Sequence, residues 1–246
     1  MMDYILKVKG IEKSYGERKA VKGISFNVKS GEILGFLGPN GAGKSTSINM
    51  MATVVDCDKG SIFFRDKDVK SDENYLKQNL GVVPQDIAVF TDLSAYDNVK
   101  FFCSLYGFKG KELKQNVEEA LNFVGLWDRR KDLPSKFSGG MKRRLNIACA
   151  IAHKPKLLIM DEPTVGIDTQ SRNNILETVE KLNRDGTTII YTSHYMEEVE
   201  SICTNLIIMD EGTIVEEGTI EELKNKYSKD NLEEIFLELT GKALRD

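Results

Sequence analysis

Gly38-Pro39-Asn40-Gly41-Ala42-Gly43-Lys44-Ser45-Thr46 sets three glycines, a lysine and two hydroxyls at the spacing of a phosphate-binding loop. Glycines let backbone N–H groups curl around a phosphate chain that side chains would hold off. A helix starting at the end of the loop adds its N-terminal partial charge. In such a loop Lys44 is expected to bridge the β- and γ-phosphates and the Ser45 hydroxyl to ligate Mg²⁺. A second cluster ends the apolar run Leu157-Leu158-Ile159-Met160 with Asp161-Glu162. Two acids closing a buried strand are costly unless a cation neutralises them, and a magnesium ion supplies that charge. Successive strand side chains diverge, so Asp161 is expected to face the metal and Glu162 the water that attacks the γ-phosphate.

His194 follows the strand-like segment Thr187 to Thr192. From the carboxyl edge of an open sheet, where ligands bind, it can donate to the γ-phosphate. Gln85, after Val83-Pro84, offers a neutral amide to the metal where strand signals give way to helical ones. Ser138-Gly139-Gly140 opens a helix with serine at the N-cap. Paired glycines weaken a helix start and suit the close approach of an anion. Lys142, Arg143 and Arg144 read as a solvated basic face, and His153, before Lys154-Pro155, as a surface residue. Cys57, Cys103, Cys149 and Cys203 lack metal-ligand spacing and read as buried or idle thiols.

The elements that position these residues alternate. Strand patterns at Tyr4 to Lys9 and Ala20 to Val28 flank a turn near Ser14 to Arg18. A more continuously apolar strand, Glu32 to Leu37, leads through the glycine loop into a helix ending near Met51. Ser61 to Phe64 and Leu80 to Val83 read as short strands, and Ala95 to Tyr106, Lys111 to Val124 and Gly139 to Ala152 as helices. Alternation then resumes with strands at Leu157 to Met160, Thr187 to Thr192 and Asn205 to Met209, separated by helices, which predicts an α/β fold with a parallel sheet and crossover helices. Asp210-Glu211-Gly212 is expected to turn a hairpin before two amphipathic helices.

Composition narrows the function classes. The chain has 246 residues, 41% hydrophobic and 29% charged, enough for a sizeable core and inconsistent with disorder. Its net charge of −4 provides no global field for a polyanion, so no nucleic-acid partner is expected. No apolar run approaches the ~18 residues of a membrane span, and Met1 to Lys9 lacks the basic-then-apolar pattern of a secretion signal. A cytoplasmic location is expected.

In this order the motifs resemble the ATP-binding cassette family, specifically nucleotide-binding subunits of ABC transporters, over nearly the whole chain. The resemblance implies ATP and Mg²⁺ as cofactors. It makes Tyr15 the aromatic on adenine, Gly38 to Thr46 the Walker A loop (Gly38, Asn40, Gly41, Gly43, Lys44, Ser45 and Thr46 on the nucleotide) and Gln85 the Q-loop. Phe137-Ser138-Gly139-Gly140-Met141 is then the signature motif, Leu157 to Glu162 Walker B, Val165-Gly166-Ile167-Asp168 the D-loop and His194 the switch histidine. Glu162 and His194 carry the catalysis; Ser45, Gln85 and Asp161 hold the metal. The family's signature usually begins with leucine and ends with glutamine, where this chain has Phe137 and Met141; Val165 replaces a common D-loop serine.

The implied fold is a P-loop NTPase with an ABC-type mixed, largely parallel sheet. One ATPase domain, 1–246, carries an N-terminal antiparallel β-subdomain, an inserted helical subdomain at about 90–152 and a helical tail at about 219–246. The implied partners are a membrane permease and a second copy of the chain in an ATP-dependent head-to-tail homodimer. The protein would then lie peripherally on the inner face of the cell membrane. The runs Phe137 to Arg144 and Ser193 to Glu198 look most like subunits of exporters of drugs, antibiotics or lipids. Phe101, Phe102, Tyr106 and Phe108 read either as permease-docking residues or as core. A soluble ABC ATPase such as an iron–sulfur assembly component is the alternative. A small-molecule kinase shares Lys44 and Ser45 but leaves the signature and His194 unexplained.

Overall fold

The structure is a computed structural model that describes residues 3–241. The expected tail is therefore described to Gly241; its end, 242–246, and the first two methionines lie outside the described residues. The chain opens with the antiparallel pair β1 (Tyr4–Tyr15) and β2 (Arg18–Lys29). Both strands run farther than their alternation predicts, because register shifts between Val8 and Glu12 break the period of two. Then follow β3 (Ile33–Leu37), α1 (Lys44–Met51), β4 (Lys59–Phe64), the two-residue β5 (Lys67–Asp68), α2 (Glu73–Asn79) and β6 (Leu80–Val83). β5 and α2 had no sequence expectation; they are too short to show a period, and α2 is set by its cap, the Asp72 side chain accepting the Tyr75 N–H.

The helical stretch comprises α3 (Ala95–Leu105), α4 (Gly110–Phe123) and α5 (Gly139–Ile151), with Ser94 and Ser138 as side-chain N-caps on α3 and α5. Beyond it come β7 (Leu157–Met160), α6 (Thr169–Arg184), β8 (Thr188–Tyr191), α7 (Met196–Ile202), β9 (Asn205–Asp210), β10 (Thr213–Thr219), α8 (Ile220–Tyr227) and α9 (Leu232–Thr240). Glu211 and Gly212, both at positive φ, make the expected hairpin turn between β9 and β10.

Two sheets result. β2-β1-β4-β5 is antiparallel, and β10-β9-β3-β8-β7-β6 is parallel except for its β10 edge. β3 and β7 are continuously apolar because both of their faces are covered. Leu158 and Met160 of β7 face the core shared with α3 to α9, while Leu157 and Ile159 face the core shared with the antiparallel sheet and α1. The ends of β3, β6, β7 and β8 therefore emerge side by side at one edge, and the loops that carry Lys44, Gln85, Glu162 and His194 leave from there.

Two surface expectations are overturned. His153 is 5% exposed: its ring stacks on Tyr106 with centroids 3.5 Å apart, and Nε2 meets the Leu80 carbonyl at 3.0 Å. Burial lowers its pKa to about 4. Lys142, Arg143 and Arg144 are not a solvated face either. Arg143 is 3% exposed, and Arg144 donates to the Val124 carbonyl at 2.9 Å. Both follow from α5 being covered by α3, α4 and α6, so that most of its circumference is interior. The aromatic set divides: Tyr106 packs on His153 and Phe108 against the core, whereas Phe101 joins Phe90 and Phe102 in a cluster whose first two rings stay exposed. The four cysteines are free thiols, three of them buried.

Candidate active site

The loop after β3 and the first turn of α1 form the floor of a cleft of about 570 Å³. Gly43, the N-cap of α1, has φ 100°, and a Cβ there would lie 2.5 Å from the Ala20 carbonyl. Only glycine brings the helix N–H groups up to a ligand at that point. Lys44 is 7% exposed and folds its ammonium back onto the carbonyls of Gly38 and Pro39, at 2.5 and 3.2 Å. Burial lowers its pKa, against the opposing pull of the Glu162 and Asp161 charges. The walls of the cleft include Tyr15, Asn40, Gly41, Gly43, Ser45, Thr46, Gln85, Glu162, Val165 and His194. Tyr15 stands half-exposed at the end of β1.

Glu162 is the hub of the opposite wall. Its carboxylate accepts the Gln85 amide on Oε2 at 2.7 Å and meets His194 Nε2 on Oε1 at 2.5 Å, joining the loops after β6, β7 and β8. Its backbone has φ 47°, a strained conformation for a residue with a side chain, at the abrupt end of β7. Asp161 lies behind it, accepting the Thr192 hydroxyl at 2.7 Å. Burial raises the Asp161 carboxyl above its usual value and the neighbouring Glu162 charge adds to this, against the Thr192 bond and Lys44.

These residues fit a nucleotide carried with a hard cation. The Ser45 hydroxyl, the Asp161 carboxylate and the Gln85 amide oxygen would supply an all-oxygen donor set. Among the described residues no cluster of three or more His, Cys, Asp or Glu is placed to hold a metal alone. Mg²⁺ commonly takes one or two carboxylates and completes its shell with phosphate oxygens and water.

Two groups of expected site residues stand apart. Ser138 and Gly139 are exposed at the start of α5, and Asp168 caps α6 by accepting the Ser171 N–H at 3.0 Å; none of them lines the cleft. Gly140 has an in-chain reason to be glycine, since a Cβ there would lie 2.3 Å from Ser171 Oγ, where α5 crosses α6. Phe137 is buried in the helical core, as an apolar side chain there would be.

Three residues escaped sequence reasoning. Arg18 reaches the cleft and the Gly41 carbonyl, but falls in the turn expected near Ser14 to Arg18, where a charged residue reads as solvated. Thr192 lies beneath both acids. Glu198, 2% exposed, accepts hydroxyls from Thr164, Tyr191 and Ser193 on Oε2 at 2.8, 2.9 and 2.7 Å, with Arg172 Nε 3.4 Å from Oε1. This knot fastens the His194 loop to the segment after Glu162. Its sequence signal is slight: an acid two residues into an otherwise acidic helix start reads as solvated.

Residues 21–165 match the ABC transporter family. The linearmycin resistance ATP-binding protein LnrL of Bacillus subtilis is 50% identical over 228 residues, which span 93% of this chain and 73% of that protein. The daunorubicin/doxorubicin resistance ATP-binding protein DrrA of Streptomyces peucetius is 36% identical, over 92% of this chain and 69% of its own length. Among solved structures, the dimeric post-hydrolysis state of an ATP-binding cassette bound to ADP and Pi superposes with a TM-score of 0.78 at 26% identity, covering 87% of this chain and 98% of that one.

The chain belongs to the ABC transporter family. It is an ATP-binding ATPase that powers a membrane permease, and among its described residues no helix is long and apolar enough to cross a membrane. The iron–sulfur assembly alternative is not favoured by these relatives.

Proposed function

We propose that the cleft hydrolyses Mg²⁺-ATP between two copies of this chain and that the work drives export of a drug- or antibiotic-like compound. In this reading 1–246 is one ATPase domain, with a helical insert at about 90–152 and a tail at about 219–246. Tyr15 stacks on adenine. Gly38 to Gly43 and the start of α1, including Thr46, wrap the phosphates, and Lys44 leaves its two carbonyls for the β- and γ-phosphate oxygens. Ser45, Asp161 and Gln85 hold Mg²⁺. With its NH₂ group on Glu162, Gln85 has the amide oxygen to offer a cation. The bound ion offsets the charge of the triphosphate and holds its oxygens in place.

Glu162 takes the proton of the attacking water. His194, on that carboxylate in this structure, turns its N–H to the γ-phosphate when nucleotide is bound. Ser138, Gly139, Gly140 and Asp168 act on the nucleotide of a second copy, which their place outside their own cleft supports; the dimeric cassette bound to ADP and Pi is a structural relative in that state. The observation that carries the reading is the Glu162 carboxylate held between Gln85 and His194 across the cleft from the buried Lys44.

Export is supported by the similarity to resistance ATP-binding proteins. The exposed, mutually packed Phe90 and Phe101 support a permease docked there, with the protein peripheral on the inner face of the cell membrane. A net charge of −4 gives no reason to add a nucleic-acid partner. Photo-crosslinking from position 101 in cells should capture a membrane protein, and loss of the pair should sensitise cells to a drug of the exported class. Capture of soluble proteins alone would overturn the export reading.

A further inference from the structure

Arg143 lies one and a half turns into α5 from Ser138, at 3% exposure, among apolar neighbours such as Leu145 and Ile147. Its guanidinium spans two successive carbonyls at the exit of β6: Nη1 donates to Pro84 at 2.7 Å and Nη2 to Gln85. β6 is the edge strand of the parallel sheet, and its ladder ends with the Asp161 N–H on the Val83 carbonyl. Beyond that point no neighbouring strand holds the chain, and Arg143 takes over. Nε has no hydrogen-bond partner and, among the described residues, no carboxylate is salt-bridged to the buried charge; Asp86 supplies a weaker pull from the same loop.

Burying a cation for neutral acceptors is costly, and a core position has no need of it. The planar fork matches two adjacent carbonyls, which a lysine's point charge or an apolar side chain cannot do. One residue farther along, the held segment places the Gln85 amide on Glu162. A continuous path therefore runs from the Ser138 end of α5 through Arg143 to the acid on which the proposed hydrolysis turns.

We propose that Arg143 is a positioning residue: by clamping the Pro84 and Gln85 carbonyls it sets the reach of Gln85 to Glu162, so that a shift of the signature helix is felt at the hydrolytic carboxylate. The proposal rests on the reading of Gln85 and Glu162 given above. It differs from a packing role in one respect, namely that the effect of Arg143 on turnover must pass through Gln85.

The test is a double-mutant cycle on the full chain at saturating Mg²⁺-ATP, comparing wild type, Gln85→Ala, Arg143→Met and the double variant. Gln85→Ala should slow turnover. Arg143→Met should leave ATP affinity within ~2-fold and lower kcat ~10-fold, about the worth of one charge-assisted hydrogen bond. The double variant should turn over within ~2-fold of Gln85→Ala alone. Losses that multiply in the double variant, or wild-type kcat in Arg143→Met, would overturn the proposal. Wild-type kcat in Gln85→Ala, with Arg143 intact, would instead overturn the underlying role of Gln85 and the proposal with it. If Arg143→Met does not fold, Arg143→Lys completes the cycle under the same criteria, since its ammonium cannot reproduce the fork.

Discussion

The Thr192 hydroxyl donates to Asp161 Oδ1 at 2.7 Å and accepts the backbone N–H of Glu162 at 2.8 Å, so one side chain at the end of β8 orders both acids at the end of β7. The register pairs Met160 with Tyr191, which places Thr192 beside Asp161. Glu162 sits at φ 47°, and the Thr192 bond is one of the contacts that hold this strained turn.

Thr192→Val keeps the shape and deletes the hydroxyl. It leaves the buried Glu162 N–H unpaired at a cost of about 1–3 kcal/mol. If that loss falls on the transition state, kcat drops ~5- to 150-fold, with ATP affinity little changed. Steady-state ATPase assays and nucleotide titration separate the two quantities; a loss confined to affinity would contradict the arrangement.

Lys44→Ala removes the only side-chain cation on the floor of the cleft among the residues that line it; the cleft's other cationic group, Arg18, is on the rim. Two charge-assisted contacts at about 1.5–3 kcal/mol each correspond to at least ~100-fold weaker ATP binding. Undiminished affinity in a folded variant would remove the loop from the nucleotide site.

Much of this was legible in the sequence, for identifiable reasons. Leu80–Val83 and Leu157–Met160 are strands with the expected bounds, because both runs carry no polar side chain, although only Leu157–Met160 is buried throughout and Val82 of the edge strand stays exposed. The phosphate loop was legible because its glycines, lysine and hydroxyls follow one another at a fixed local spacing, even though Gly43 also answers to close packing against Ala20. Arg143, His153 and Glu198 were not: Arg143 and His153 have their partners in elements far along the chain, Glu198 gathers its own from three separate segments, and nothing local distinguishes such residues from solvated ones. Thr192 was hidden for a related reason, since its role appears only once β7 and β8 are in register.

His153 offers a pH signature. With a pKa of about 4 in the folded protein against about 6.5 in an unfolded chain, it takes up a proton on unfolding throughout that interval. Its stabilising contribution is thus complete above pH 6.5 and is lost as pH falls toward 4, by up to about 3 kcal/mol. Denaturant melts at several pH values should show His153→Gln with a flatter decline than wild type between pH 6.5 and 4. Parallel declines would mean that the ring is protonated in the folded state.

Sites completed by a second chain can be tested by mixing. A Cβ on Gly139 meets nothing nearer than Ile167 Cδ1 at 3.7 Å, so Gly139→Asp is tolerated by the fold while adding a negative charge to the exposed signature. Paired with Lys44→Ala, itself inactive, it should yield heterodimers with one doubly damaged and one intact site, and ATPase activity should partly return. No recovery in demonstrated heterodimers would contradict action across the interface.

The central claim is that Glu162 is the hydrolytic base, and Glu162→Gln tests it most directly because the amide keeps the shape and loses the basicity. Loss of a general base costs ~10²- to 10⁴-fold. Single-turnover hydrolysis of Mg²⁺-ATP by this variant should slow by that factor while ATP affinity is retained, with uncleaved ATP accumulating on the protein. Hydrolysis at the wild-type rate would contradict the account.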